Sequence, residues 1–281
     1  MVCGMSAGEL DVLLENALRE DAPYGDKTTD ALSLDGEFGA ELIARETLVL
    51  CGLPAAFRVF ELAGGGCRFN ALCGEGDEVE AGGRIGTVEG PLRTLLYAER
   101  TALNLLQRLS GIATLARKCF LEVKGTGTRV LDTRKTTPGL RALEKYATRT
   151  GGVTNHRMGL SDAILIKDNH IAAVGSVTEA VKRVKERTGA AWRVEVEVKS
   201  LDQIPAALAA GADIILLDNM TPAELKEAVK FHREGILFEA SGGITLKNLR
   251  ATAESGVDYV SMGALTHSAR AVDIALDIKV S

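Results

Sequence analysis

Apolar positions along this chain recur with two different periods, and the change of period divides the sequence. Residues 8–20 (GELDVLLENALRE) carry leucines at helical spacing, which predicts an amphipathic helix. A stretch dense in turn residues follows, 20-EDAPYGDKTTD-30. From about residue 38 to 96, short strand-like runs (39-GAELIARE-46, 84-RIGTVEG-90) alternate with Gly-rich turns at 64-GGG-66 and 74-GEGDEVEAGG-83. That alternation predicts a small β-rich layer. Helical spacing returns over 97–119, where Leu103, Leu106 and Leu109 stand among polar neighbours.

After residue 120 a beat appears. Six aliphatic or β-branched runs, 129-RVLD-132, 163-AILIK-167, 193-RVEVEV-198, 213-DIILLD-218, 236-ILFEA-240 and 258-DYVSMG-263, alternate with segments of helical spacing at 139–150, 176–189, 201–210, 222–230 and 245–255. Thr221-Pro222 reads as the N-cap and first residue of one of these helices. The repeated unit implies parallel strands joined by crossover helices, and the nearly all-apolar runs imply burial on both faces. Six units suit a barrel or a doubly wound sheet. Polar residues recur at every strand end, which favours an incomplete α/β barrel.

Composition narrows the picture. The 281 residues are 46% hydrophobic and 25% charged, an ordinary globular balance. A net charge of −5 and a pI near 5.6 argue against a nucleic-acid or anionic-membrane partner. The charge is uneven, however. Residues 129–170 hold eight Lys/Arg and four Asp/Glu, a net +4, so the remainder carries −9. No positive n-region with an apolar h-region opens the chain, and no apolar run is long enough to span a bilayer, so a cytoplasmic location is expected. Cys3, Cys51, Cys67, Cys73 and Cys119 contain no CxxC pair, and free thiols are expected.

In α/β barrels the chemistry comes from the C-terminal ends of the strands. The first run ends in Asp132, Thr133, Arg134 and Lys135, and the second in Lys167, Asp168, Asn169 and His170. The third offers Glu195 and Glu197, two apart and so on one face; either can be the one facing the site. The fourth gives Asp218 and Asn219, the fifth Ser241, Gly242 and Gly243, and the sixth Gly263 and Ala264 before Leu265. The two Gly-rich turns, 241-SGGIT-245 and 263-GALT-266, each follow a strand and precede a helix, the arrangement that holds a phosphate; a tight turn needing glycine is the plainer alternative. Glu197 and Asp218 suit Mg²⁺ or ribose hydroxyls, or ion pairs with rim cations. Arg134, Lys135, His156, Arg157 and Lys167 would crowd one pocket, a costly arrangement unless an anionic ligand is bound there. His170 and His267 can cap or orient loops. The pattern lacks a dinucleotide fingerprint, a GxxxxGK[ST] loop, HExxH and GxSxG.

These residues resemble a known family. The block 132-DTRKTTPGLRALEKYATRTGGVTNHRMGLSDAILIKDNHI-171 is similar to the quinolinate phosphoribosyltransferases. The likeness extends through Glu20, Asp21, Gly25 and Asp26, 99-ERTALNLLQRLSGIAT-114, 195-EVEV-198, 213-DIILLDNM-220, 240-ASGGIT-245 and 259-YVSMGALTHS-268, essentially the whole chain. The resemblance implies an N-terminal open-faced α/β sandwich (1–110), an incomplete seven-stranded α/β barrel (111–268) and a tail (269–281) packing back on the N-terminal domain. Six runs fall one short of seven, so a strand is expected near 112–124 or after 265.

The resemblance also implies transfer from phosphoribosyl pyrophosphate to quinolinate with loss of CO₂, yielding nicotinate mononucleotide. Lys135, Lys167, Glu197 and Asp218 take the catalytic positions. Thr133, Arg134, Lys135, His156, Arg157 and Lys167 grip the dicarboxylate and nearby phosphate. Ser241, Gly242, Gly243, Gly263, Ala264 and Leu265 hold the 5′-phosphate. Glu197 and Asp218 handle ribose and Mg²⁺, directly or through substrate. Arg100 reaches the site from a neighbouring subunit, so a homodimer at least is implied; a hexamer satisfies the same condition. Three other readings fit parts of the pattern, one of them a non-enzymatic phosphate or nucleotide sensor. The opening 21-DAPYGDKTTDAL-32 also looks like the molybdenum-operon-associated relatives, which depart from the RKTTPG and IKDNH motifs intact here. A barrel lysine such as Lys167 can also serve a Schiff-base aldolase.

Overall fold

The structure is a computed structural model that describes residues 5–279. Cys3 and the extreme ends of the 1–110 and 269–281 segments lie outside the described residues. Backbone contacts divide the chain into two compact units. One comprises the residues up to Arg117, Thr137–Gly152 and the residues from Ser268 onward; the other comprises Lys118–Thr136 and Val153–His267.

The first unit opens with α1 (Ala7–Asp21), whose Leu10, Leu14 and Leu18 form one buried stripe behind a Ser6/Glu9 capping box. Then come α2 (Lys27–Leu32), β1 (Glu37–Ala44), β2 (Leu48–Val49), α3 (Leu53–Leu62), β3 (Arg68–Ala71), β4 (Glu78–Val79), β5 (Arg84–Pro91) and α4 (Leu92–Glu122), whose last turn belongs to the second unit. In β1 the residues Ala40, Leu42 and Ala44 are buried and alternate with more accessible neighbours, as in a sheet covered on one face. Helix α5 (Arg141–Thr150) also belongs to this unit, with the buried Glu144 paired to Arg108 at 2.8 Å. The final strand, β12 (Ile274–Lys279), pairs antiparallel with β1, completing an antiparallel sheet in the order β12-β1-β5-β3.

The second unit is the beat seen in the sequence. All six runs are strands: β6 (Arg129–Leu131), β7 (Ile164–Ile166), β8 (Val194–Val198), β9 (Ile214–Asp218), β10 (Leu237–Ser241) and β11 (Tyr259–Ser261). They form a parallel sheet in the order β6-β11-β10-β9-β8-β7. The helices are α6 (Asp168–Val174), α7 (Val177–Thr188), α8 (Gln203–Ala209), α9 (Pro222–Ala228), α10 (Leu246–Ala253) and α11 (Ala264–His267). Thr221 is the N-cap of α9, in a capping box with Glu224.

The expected seventh strand is found at neither expected place. Residues 112–122 continue α4, because Ile112, Ala113, Ala116 and Cys119 are buried at helical rather than alternating spacing. After residue 265 the chain finishes α11 and then enters β12 of the other sheet. The seventh position is a single parallel bridge, Leu131 to Thr154, beside β6. Among the described residues no ladder joins Thr154 to β7, and there the barrel stays open.

Candidate active site

The alternation of β8 builds the centre of the site. Val194, Val196 and Val198 are wholly buried, while Glu195 and Glu197 take the opposite face. Glu195 is 4% exposed, and its Oε2 lies 3.5 Å from His156 Nε2. Glu239 of β10, 2% exposed, places its Oε2 at the same 3.5 Å from that nitrogen. The other oxygen of each carboxylate is buried without a hydrogen-bond partner. Two anions taken out of water favour any proton nearby. Burial raises the Glu195 pKa, and the neighbouring Glu239 adds to the rise. Burial by itself lowers the proton affinity of His156, but hydrogen bonding and charge from both glutamates outweigh it and lift the pKa to about 10.

The other ring nitrogen argues differently. Nδ1 of His156 accepts from the Arg157 amide at 2.7 Å, which requires that nitrogen to be unprotonated. The proton on Nε2 is held in either form, and the second proton is contested between the carboxylates and that amide. The three donors lie within 4.8 Å of one another, close enough to surround a cation. A metal-bound imidazole normally donates from its second nitrogen, whereas this one accepts, an arrangement that does not favour a cation between the three groups.

Asp132, fully buried past the end of β6, fixes the strip that carries His156. Its Oδ1 accepts from the His156 amide at 2.8 Å and its Oδ2 from Asn155 Nδ2 at 2.6 Å. Arg157 donates to the Ala163 carbonyl at 3.2 Å. Burial and the adjacent Arg134 guanidinium depress its proton affinity. Two guanidiniums held this close make a place where an anion relieves repulsion.

Lys167 follows β7 and reaches Glu197 Oε2 at 2.7 Å; the lysine side chain is 48% exposed and the glutamate 7%. His170 accepts from the Lys167 amide at 2.9 Å, so it orients this loop. Thr133 accepts from the Lys135 amide at 3.0 Å, and the Lys135 carbonyl accepts from Thr266 at 2.7 Å. Gly263 sits behind Lys135: a Cβ there would come within 2.9 Å of Lys135 Cδ, so a side chain at this position would push the lysine aside. Ala264 and the buried Leu265 open α11 beside it. Asp218 ends β9 half-buried, and Ser241, Gly242 and Gly243 lead from β10 toward Thr245, the N-cap of α10.

The strand ends thus gather Lys135, His156, Arg157, Lys167, Glu197, Asp218 and both glycine loops in one unit. Arg100 lies exposed on α4 in the other unit. Of the two glutamates left open by the sequence, Glu195 faces His156 and Glu197 faces Lys167. Glu239 escaped the sequence reading. Its signal was a lone carboxylate inside the apolar run 236-ILFEA-240, which a two-faced buried strand has no packing reason to carry.

A parallel barrel with cations, carboxylates and two glycine loops at its strand ends has the layout of an enzyme whose active site lies on that rim. Comparison with known proteins makes this specific. The family "Quinolinate phosphoribosyl transferase, N-terminal domain" matches residues 26–110, and its "C-terminal domain" matches residues 112–277. The chain belongs to this family. It is 43% identical over 272 residues to a probable nicotinate-nucleotide pyrophosphorylase [carboxylating] of Synechocystis sp., covering 96% of this chain and 92% of that one. It is 44% identical over 272 residues to the Mycobacterium leprae protein of that name, covering 94% and 95%. The solved nicotinate-nucleotide pyrophosphorylase of Francisella tularensis superposes with a TM-score of 0.94 at 38% identity, covering 99% of each chain.

Proposed function

We infer that the protein transfers the phosphoribosyl group of phosphoribosyl pyrophosphate to quinolinate with decarboxylation, giving nicotinate mononucleotide, pyrophosphate and CO₂ in NAD biosynthesis. One observation carries the reading. Cationic side chains share the strand-end rim with two carboxylates and two glycine loops, which matches a dicarboxylate meeting a phosphorylated sugar.

Arg134, Arg157, His156 and Lys167, with Thr133 and Lys135, seat the pyridine dicarboxylate and adjacent phosphate. Lys167 is exposed enough to turn from Glu197 toward a substrate carboxylate. Glu197 and Asp218 take the ribose hydroxyls. The loops Ser241–Gly243 and Gly263–Leu265 take the 5′-phosphate. Arg100 completes the pocket from a second subunit, so the active form is a homodimer at least.

The pyridine nitrogen bonds to the anomeric carbon as the bond to the pyrophosphate oxygen breaks, and pyrophosphate keeps the electron pair. The nitrogen is then positively charged. The bond from the ring to the 2-carboxylate breaks next, and its electrons remain on a carbon adjacent to that charge until a proton from water replaces CO₂. Lys135 and the rim arginines stabilise the charge that develops on the leaving group. The site suits Mg²⁺ by its chemistry: Asp218 presents hard oxygen donors at a half-buried position, whereas Glu197 is already paired with Lys167. Asp218, and Glu197 through substrate phosphates, would hold it; when bound it neutralises pyrophosphate charge. No described helix is long and apolar enough to cross a membrane. A cytoplasmic location is proposed from the sequence, whose five cysteines form no CxxC pair.

The test is direct. Incubation with quinolinate, phosphoribosyl pyrophosphate and Mg²⁺ is expected to release CO₂ in step with nicotinate mononucleotide. Absence of both products with every divalent metal tried would overturn the assignment.

A further inference from the structure

Asn219 stands where the carboxylate rim meets a glycine loop. Its backbone is left-handed, with φ 56°, a region that asparagine tolerates better than most side chains. Only Ser33 shares a positive φ among the described non-glycine residues. The Asn219 amide donates to the Ser241 carbonyl at 2.8 Å, tying the end of β9 to the end of β10. Its side-chain Nδ2 donates to Asp218 Oδ2 at 2.9 Å. Gly242 closes the arrangement. A Cβ at Gly242 would lie 2.3 Å from Asn219 Oδ1 and 2.5 Å from Cγ, so the carboxamide fills the space that a side chain on the loop would need. Gly242 itself has φ +94°, so the position requires glycine on both counts.

We propose that Asn219 is a positioning residue for the phosphoribosyl donor, holding the Asp218 carboxylate toward the ribose while its carboxamide and amide set the Ser241–Gly243 loop toward the 5′-phosphate. The proposal rests on the roles assigned above to Asp218 and that loop. The residue type follows from the geometry. Glycine would accept the backbone conformation but offers no donor to Asp218. Aspartate would accept it too, but sets an anion against an anion. Asparagine supplies the conformation, the donor and the correct length together. Ribose and 5′-phosphate are joined covalently in one substrate, so a residue that sets both subsites sets the spacing at which they are held.

Steady-state kinetics of Asn219→Gly, Asn219→Asp and Asp218→Asn test this. Loss of a hydrogen bond to a charged group is expected to raise the donor KM about tenfold or more in Asn219→Gly, and further in Asn219→Asp. The quinolinate KM should stay within about twofold in Asn219→Gly, a split that general loosening of the barrel would not produce. In an Asp218→Asn background, Asn219→Gly should add much less than it costs the wild type, because its partner is already altered. A wild-type donor KM in Asn219→Gly, equal rises in both KM values, or full multiplicativity with Asp218→Asn overturns the proposal. If Asp218→Asn itself leaves the donor KM unchanged, the assignment of the ribose subsite fails instead. Should Asn219→Gly not fold, judged by circular dichroism, Asn219→Asp retains the backbone tolerance and carries the same comparison of KM values.

Discussion

Three side chains, His156, Glu195 and Glu239, bring one imidazole and two buried carboxylates together inside the barrel. Removing the imidazole strands two buried carboxylates. His156→Ala should therefore lower the unfolding free energy by about 3 kcal/mol, the scale on which breaking a buried pair acts; denaturant titration measures it. The pH dependence has a definite sign. The folded pKa of His156 is raised above its unfolded value, so its stabilisation is fully present below about pH 6.5. It is lost as pH rises through about 10. An NMR titration of the His156 ring should show no deprotonation below pH 8. A midpoint near 6.5 would mean that the Arg157 amide, not the carboxylates, decides the second proton. At this scale the sequence revealed residue types but not their partners. Glu195 and Glu197 are indistinguishable as letters and share one face of β8, and it is the neighbouring segments that give one to His156 and the other to Lys167.

Between elements, close approach sets the sequence. Gly111 lies inside α4, where glycine normally costs about 0.5–1 kcal/mol relative to alanine. A Cβ there would lie 2.0 Å from the Arg270 carbonyl, in the segment that leads into β12. Overpacking typically costs about 1–3 kcal/mol, which outweighs the gain in helix propensity. Gly111→Ala is therefore expected to lower the melting temperature, and an increase would show that the 268–273 segment can shift away. By contrast, Thr221→Ala removes only the N-cap of α9 and should cost about 1 kcal/mol. The six strand runs and the α9 cap were legible because local periodicity and capping chemistry are local properties. The missing seventh strand was not, because one bridged residue at Thr154 has no period to detect.

For the whole molecule, the proposal that Arg100 serves a neighbouring subunit makes a complementation prediction. Arg100→Ala and Lys167→Ala should each be nearly inactive alone, and mixing the two should restore part of the activity through dimers with one intact site. No recovery, with mixed dimers verified by mass spectrometry, would place Arg100 outside the site. The sequence by itself determined the parallel α/β repeat, the basic island within an acidic chain and the residue types at the strand ends, because strand burial and residue charge are written in order along the chain. The tertiary structure decided which unit the helix α5 joins: though it comes from the middle of the basic block, it packs with the first unit. It also decided that His156 sits between Glu195 and Glu239, and that Asn219 bridges Asp218 and Gly242. The contacts of His156 with the two glutamates and of Asn219 with Gly242 join residues tens of positions apart, and distance along the chain says nothing of distance through the barrel.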